Sequence, residues 1–235
     1  GEAFRRRGGR RRRRRGEPEG GGTQAALSRD RVLREALRLA DADSLAAVTM
    51  RRLGRELGAG AMSLYHYVTS KDDLLDGMVD LVFAQIEAPK ADGDWREAML
   101  RRSRSAREVL LRHAWAVGVM ESRSTPGPAN LRHREAVTAC LRTAGFSIEM
   151  TAHATWLLDS YVYGFVLQEA ALPFDGPDEL ADSADAFMAA LPPERYPYSH
   201  ETAGALLAAG YDPATEFDFG LDVILDALER LRTHG

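Results

Sequence analysis

Between positions 61 and 67 the chain sets three small or flexible side chains, Ala61-Met62-Ser63, ahead of three rings with polar tips, Tyr65-His66-Tyr67, and Lys71 follows one turn on. A core has little use for three such rings in a row. Phenol and imidazole tips can hydrogen-bond phosphate oxygens while their rings pack a helix onto a scaffold, and an ammonium just beyond them suits a further phosphate. Immediately upstream, Leu57-Gly58-Ala59-Gly60 joins two short amphipathic segments. Glycine permits the sharp turn of a helix-turn-helix, whose second helix presents its N-terminal end to base edges in a major groove. Leu53, Leu57 and Leu64 would pack the pair against a preceding helix, leaving Ala61, Met62 and Ser63 exposed. In isolation Tyr65 would be a core tyrosine and Arg51 a solvated surface charge; the joint spacing points to DNA.

The elements that must hold this constellation are helices. Leu33, Ala36, Leu37 and Ala40 recur at helical spacing behind an N-cap at Ser28, with Leu27 placed to staple against Val32. Short helices are expected over 49–57 and 61–68. Ser70 caps a fourth, with Asp73 at the capping-box position and Leu75, Met78, Val82 and Ile86 on one face until Pro89 ends it. Residues 88–93 form a joint, and Asp94 with Glu97 restarts a helix. Further helices are expected to 113, over 114–121, 131–143 and 148–171, more weakly over 178–190 and 199–209, and finally over 214–232. No segment alternates with period two. The fold class is therefore all-α: an N-terminal three-helix helix-turn-helix domain joined by a linking helix to a larger helical ligand-binding and dimerisation domain. The expected divisions are a disordered arginine-rich tail (1–22), the DNA-binding domain with its linking helix (23–88) and the effector and dimerisation domain (94–235).

At 235 residues and 45% hydrophobic content the chain can bury a sizeable core. It has no apolar run of the length a spanning helix needs and no apolar stretch after its N-terminal charges, so a soluble, cytoplasmic protein with no membrane partner is expected. The single cysteine, Cys140, sits among apolar neighbours as a packing residue. The net charge of −4 conceals an asymmetry, because residues 1–22 hold nine Arg against three Glu. That run can neutralise phosphates or enter a minor groove. It also fits a general arginine excess, since Lys71 and Lys90 are the only lysines.

Over residues 28–76 the sequence resembles the TetR family of transcriptional regulators, through TMRRLGRELGAGAMSLYHYVTSKDDLL (49–75). The resemblance implies base-reading roles for Arg51, Ala61 and Met62. It implies phosphate or sugar contacts for Thr49, Ser63, Tyr65, His66, Tyr67 and Lys71. Ala61 and Met62 offer only apolar contacts, such as to a thymine methyl, so hydrogen-bonded readout would fall to Arg51. More loosely, LLRH (110–113), the GFS helix start (145–147) and LLDSYVYGFVLQEAAL (157–172) are similar to the tetracycline-repressor type of C-terminal domain. That family's metal-bound drug site depends on a histidine and a glutamate, and a gap-free extension from these segments puts Met120 and Gln168 there. Thioether and amide are poor ligands for a hard cation, so no metal and no cofactor are expected.

The expected effector is instead a small organic molecule in an apolar pocket, with Trp115, Met120, Trp156, Tyr163 and Gln168 as candidate lining. Glu149 and His153, one turn apart, form either a metal pair or surface charge. One recognition helix reads too few bases, so a homodimer on a palindromic double-stranded operator is expected, its half-sites roughly 34–36 Å apart. The dimer surface would come from helices 148–171 and 214–232. On the first, Trp156, Tyr163 and Leu167 share one face and Leu157, Tyr161 and Gly164 another; on the second, Phe217, Leu221, Ile224, Leu228 and Leu231 align with Phe219 and Val223 beside them. The whole reads as a ligand-responsive regulator, by family expectation a repressor, and not an enzyme. Three alternatives stand beside it: a regulator without a small effector, an all-helical enzyme using His113 or His153, and a DNA-coating protein driven by the arginines.

Overall fold

A computed structural model of the chain describes residues 26–120, 122–123, 125–172 and 177–234. The arginine-rich stretch lies outside the described residues. Among these there are eleven α-helices and no strand: α1 (Arg29–Ala42), α2 (Met50–Leu57), α3 (Ala61–Leu64), α4 (Lys71–Phe83), α5 (Trp95–Arg112), α6 (Ala114–Met120), α7 (Pro128–Thr143), α8 (Ile148–Ala170), α9 (Pro177–Ala189), α10 (Pro197–Ala209) and α11 (Pro213–His234). Their starts follow local chemistry. The side chains of Ser28, Thr49, Ser70, Asp94 and Ser147 each accept the backbone N–H three residues on, satisfying a donor that has no helical partner. Four further helices, α7, α9, α10 and α11, begin on proline, which brings no N–H to satisfy, and at α11 the Asp212 carboxylate also accepts the Thr215 N–H at 3.1 Å.

Three local expectations shift. The third helix closes at Leu64 rather than near 68, because the N–H groups of His66 and Tyr67 bond three residues back, to Ser63 and Leu64. Proline starts α7 at 128 rather than 131. The capping boxes are half-formed: the Glu97 carboxylate pairs with Arg101 at 3.2 Å, and Asp73 reaches past its cap to the Thr69 N–H at 2.7 Å.

Asp73 also takes both arms of Arg29 from α1, at 2.6 and 3.0 Å, while Arg29 donates to the Tyr67 carbonyl at 2.8 Å. This clamp ties the segment after α3 to α1. The guanidinium, with the Thr69 N–H, holds the Asp73 carboxyl at about 2, below its ordinary 3.8. A depressed folded value stabilises above the unfolded pKa and is lost as pH falls through the folded one. Asp73→Asn should therefore cost about 1 kcal/mol at neutral pH, discounted because both side chains are partly solvated. The wild-type advantage should vanish between about pH 4 and pH 2 in urea titrations at stepped pH. An undiminished advantage at pH 2 would rule out the clamp as its source.

Two hydrophobic cores result. The smaller joins α1–α4 around Val32, Leu39, Leu53, Leu64, Val68 and Met78; the larger runs from Val79 and Val82 through Met99, Leu110, Leu141 and Leu158 to Phe217 and Leu225. The division falls inside α4, between Met78 and Val79, so this helix belongs to both. Cys140 is buried in the larger core.

Candidate nucleic-acid interface and ligand cavity

At the small end, Leu53, Leu57 and Leu64 are buried, which fixes α2 and α3 against α1. What this leaves outside is the tip. Met62 is 78% exposed, Ser63 is exposed and Ala61 half-buried, so the N-terminal end of α3 projects. Tyr65 and His66 are exposed behind it, whereas Tyr67 lies half-buried against the core. Arg51 is exposed on α2 beside Arg52, whose guanidinium is instead held by Asp43. The Thr49 hydroxyl accepts the Arg52 N–H at 3.2 Å and keeps its own proton to donate outward. Lys71, exposed, opens α4. All nine residues expected to meet DNA are thus on the α2–α3 corner or the turn leading into α4.

The corner depends on two glycines. Gly58 has φ +66°, a conformation that costs other residues strain. Gly54, which motif spacing did not single out, has the turn folded onto it: a Cβ there would lie 2.7 Å from the Ala59 carbonyl oxygen and 3.2 Å from the Ala61 nitrogen. Its neighbours are backbone, which has little room to give. Gly60 has an ordinary φ of −66° and open space around it.

In the larger domain a cavity of about 170 Å³ is walled by Phe83, Arg102, Met120, Arg123, Pro126, Asn130, His133, Arg134, Val137, Thr155, Asp159 and Tyr163. It is more polar than the expected apolar pocket. Arg102, 3% exposed, donates to Asp159 at 2.6 Å and through Nε to His133 Nε2 at 3.0 Å. Burial, and then the positive Arg102, push the His133 imidazole down to about 4. Removing Asp159 would leave a buried guanidinium without its anion, so Asp159→Ala should destabilise the fold by about 3 kcal/mol, the scale for a broken buried pair. Urea unfolding checks this; a loss within about 0.5 kcal/mol, the scatter of surface substitutions, would mean that water replaces the carboxylate.

The cavity and the linking helix share their ties. Arg123, which lines the cavity, donates to Asp76 at 2.6 Å and Asp72 at 3.0 Å on α4. One turn further along α4, Asp80 accepts the Ala129 and Asn130 N–H groups at 3.1 and 2.9 Å, capping α7 from outside where its own N-cap is Gly127. A second junction lies at Asp41 of α1, which His113 Nδ1 approaches at 2.8 Å and to which the Trp115 indole donates at 2.7 Å; Gln85 Oε1 is 3.1 Å from His113 Nε2.

Of the side chains expected to line an effector site, Met120 and Tyr163 come together at the cavity. Trp115 stands at the α1 junction, and Trp156 points outward, 77% exposed. Gln168 lines a separate, more open recess of about 360 Å³ with Tyr161, Phe165 and Tyr211. The polar members Arg102, Asn130 and His133 were missed, although a histidine four residues from both Ala129 and Val137 on one helical face was a legible signal. Glu149 and His153 are an exposed pair 3.6 Å apart. Among the described residues no group of three or more His, Cys, Asp or Glu is placed to hold a metal ion.

Helices α8 and α11 pack on each other through Leu158, Val162, Tyr161, Phe217 and Leu221, with the Tyr161 hydroxyl donating to the Phe217 carbonyl at 2.8 Å. Trp156, Leu157 and Leu167 of α8 and Phe219, Val223 and Leu231 of α11 remain exposed. The expected grouping is redistributed: Tyr161, Phe217, Leu221 and Leu228 face inward, and the outer set forms an apolar face on paired helices.

Two family models match the chain, one for the bacterial regulatory proteins of the tetR family over residues 32–78, the other for the tetracyclin repressor-like C-terminal domain over residues 88–232. The chain is 34% identical over 223 residues to the HTH-type transcriptional repressor DrrR1 of Streptomyces coeruleorubidus, covering 89% of this chain and 80% of that repressor. It is 28% identical over 209 residues to the class A tetracycline repressor of Escherichia coli transposon 1721, covering 88% and 92%. Among solved structures it is similar to the Streptomyces coelicolor TetR family protein ActR in complex with actinorhodin, with a TM-score of 0.74 and 30% identity over 87% of this chain and 96% of that one.

Proposed function

The chain belongs to the TetR family of transcriptional regulators, which are not enzymes, and we propose that it is a repressor that binds a palindromic operator as a homodimer and releases it on binding a small organic effector. The proposed work is divided between residues 23–88, which bind DNA and carry the linking helix, and 94–235, which bind effector and partner. Among the described residues no helix is long and apolar enough to cross a membrane, and the proposed site of action is the cytoplasm, where the operator is. In this reading Arg51, Ala61 and Met62 meet base edges while Thr49, Ser63, Tyr65, His66, Tyr67 and Lys71 hold phosphates and sugars. The exposed α8–α11 face supports the homodimer, since paired helices from two subunits make a self-complementary bundle. The actinorhodin complex of ActR supports an organic effector.

The observation that carries the proposal is that one residue, Arg123, belongs both to the cavity wall and to the grip on α4. A ligand that draws Arg123 or the start of α7 towards itself must move or release Asp72, Asp76 and Asp80. Beside Asp72 in the first turn of α4, Asp73 holds α1 and the segment that follows α3. The ligand shifts the population only by as much as it prefers the conformation whose two recognition helices no longer match successive grooves.

In-vitro selection of random duplex DNA by the full chain near physiological salt tests the DNA half directly. Recovery of one palindromic motif is the expected result. Recovery of no motif, with affinity that only collapses as salt rises, would instead mean non-specific coating.

A further inference from the structure

Two residues that wall the cavity carry buried polar atoms with no partner in the protein. Arg102 donates its Nε–H to His133 Nε2, so that nitrogen must carry a lone pair, and the ring's proton sits on Nδ1. His133 is 4% exposed and its Nδ1 is buried without a hydrogen-bond partner. The Asn130 Oδ1, on the same helix and also at the cavity, is likewise buried and unpartnered. A buried donor and acceptor left empty are costly, and both are met at once by a ligand that accepts from the first and donates to the second.

Charge narrows the ligand. Of the three arginines at the cavity, Arg102 is matched by Asp159 and Arg123 by Asp72 and Asp76. Arg134, adjacent to His133 and exposed at the rim, has no carboxylate partner among the described residues. Arg134 is therefore the one guanidinium at the cavity that no described carboxylate holds, and it is placed to take an anionic group of the ligand. Phe83, Met120 and Tyr163 provide the apolar and aromatic part of the wall. A volume of about 170 Å³ is slightly above the roughly 150 Å³ of an apolar cavity that accepts benzene.

We propose that the effector is a hydroxylated aromatic acid of one ring, its carboxylate taken by Arg134 and the His133 Nδ1–H and its hydroxyl donating to Asn130. The assignment rests on the cavity being the effector site. It requires no metal, and it separates acids from neutral aromatics of the same shape.

The probes are 3-hydroxybenzoate, its methyl ester and benzoate, titrated by calorimetry into the full chain at pH 7.5. The acid should bind about tenfold tighter than its ester, the scale of a charge-assisted hydrogen bond, and a few-fold tighter than the acid lacking the hydroxyl. Arg134→Gln, a rim substitution that leaves the core alone, should erase the acid's advantage while leaving the ester's affinity unchanged. An ester that binds as well as the acid, an acid-to-ester ratio untouched by Arg134→Gln, or no binding of any probe below millimolar concentration overturns the proposal. Operator release is followed separately by fluorescence anisotropy. Acid binding with the expected ratios but without release would uphold the ligand class and refute the effector role. Release by the ester alone would uphold the effector role and refute the class.

Discussion

Replacing Gly54 by valine should abolish specific operator binding while the larger domain stays folded. The added Cβ would meet the Ala59 carbonyl oxygen at 2.7 Å and the Ala61 nitrogen at 3.2 Å, and both belong to the turn that sets α3 against α2. Relief requires the turn to move, and α3 moves with it. Overpacking of this kind costs about 1–3 kcal/mol in stability. The larger consequence is geometric. Arg51 on α2 and Met62 on α3 can meet the same groove only while the angle between their helices is kept, and each lost base contact is worth about 1–3 kcal/mol. The proposed dimer would lose them in both half-sites, so affinity should fall by about a hundredfold or more. Fluorescence anisotropy with the selected operator measures this, with circular dichroism as the control for helix content. Gly60→Ala is the matched comparison: with φ at −66° and nothing nearer than the Ser63 Oγ at 3.6 Å, it should bind within a few-fold of wild type. Near-wild-type binding by Gly54→Val would show that the turn adapts and that the corner is not set by this contact.

The second large effect is expected from Trp156→Asp combined with Phe219→Asp. Both side chains are mostly exposed in the single chain, so neither substitution disturbs the core. In a two-fold interface each new carboxylate appears twice, bringing like charges into an apolar contact at a cost of several kcal/mol. The protein should sediment as a folded monomer. With one recognition helix per particle, operator affinity should again drop by about a hundredfold, whereas a monomer with unchanged affinity would remove the need for a dimeric operator complex. A variant that remains dimeric would place the interface elsewhere than on α8 and α11.

Much of the fold was legible because helix signals are local. Ser28, Ser70, Asp94 and Ser147 mark starts through a bond to an N–H three residues on, and the apolar spacing around Leu33 and Leu53 marks buried faces. The helix-turn-helix was legible for the same reason, since its turn, its leucines and its exposed tip lie within fifteen residues. The cavity was not. His133 is brought to Arg102 across 31 positions and Arg102 to Asp159 across 57, on three different helices. Nothing in the periodicity of any one of those helices says which polar group another will satisfy. Aromatic character pointed to Trp115 and Trp156 as lining, yet the indole of Trp115 is spent on Asp41 and that of Trp156 faces outward.

The sequence by itself therefore determined an all-helical chain, the helix starts that carry a side-chain cap, and the helix-turn-helix corner, because each of these is written in contacts between near neighbours along the chain. Only the tertiary structure decided that Gly54 supports that corner, that α4 is shared by both cores, and that His133 and Asn130 are left without partners beside an unmatched arginine. These depend on how helices far apart in the chain are packed, and a hydrogen bond is made or missed only once the two groups have been brought within about 3 Å of each other.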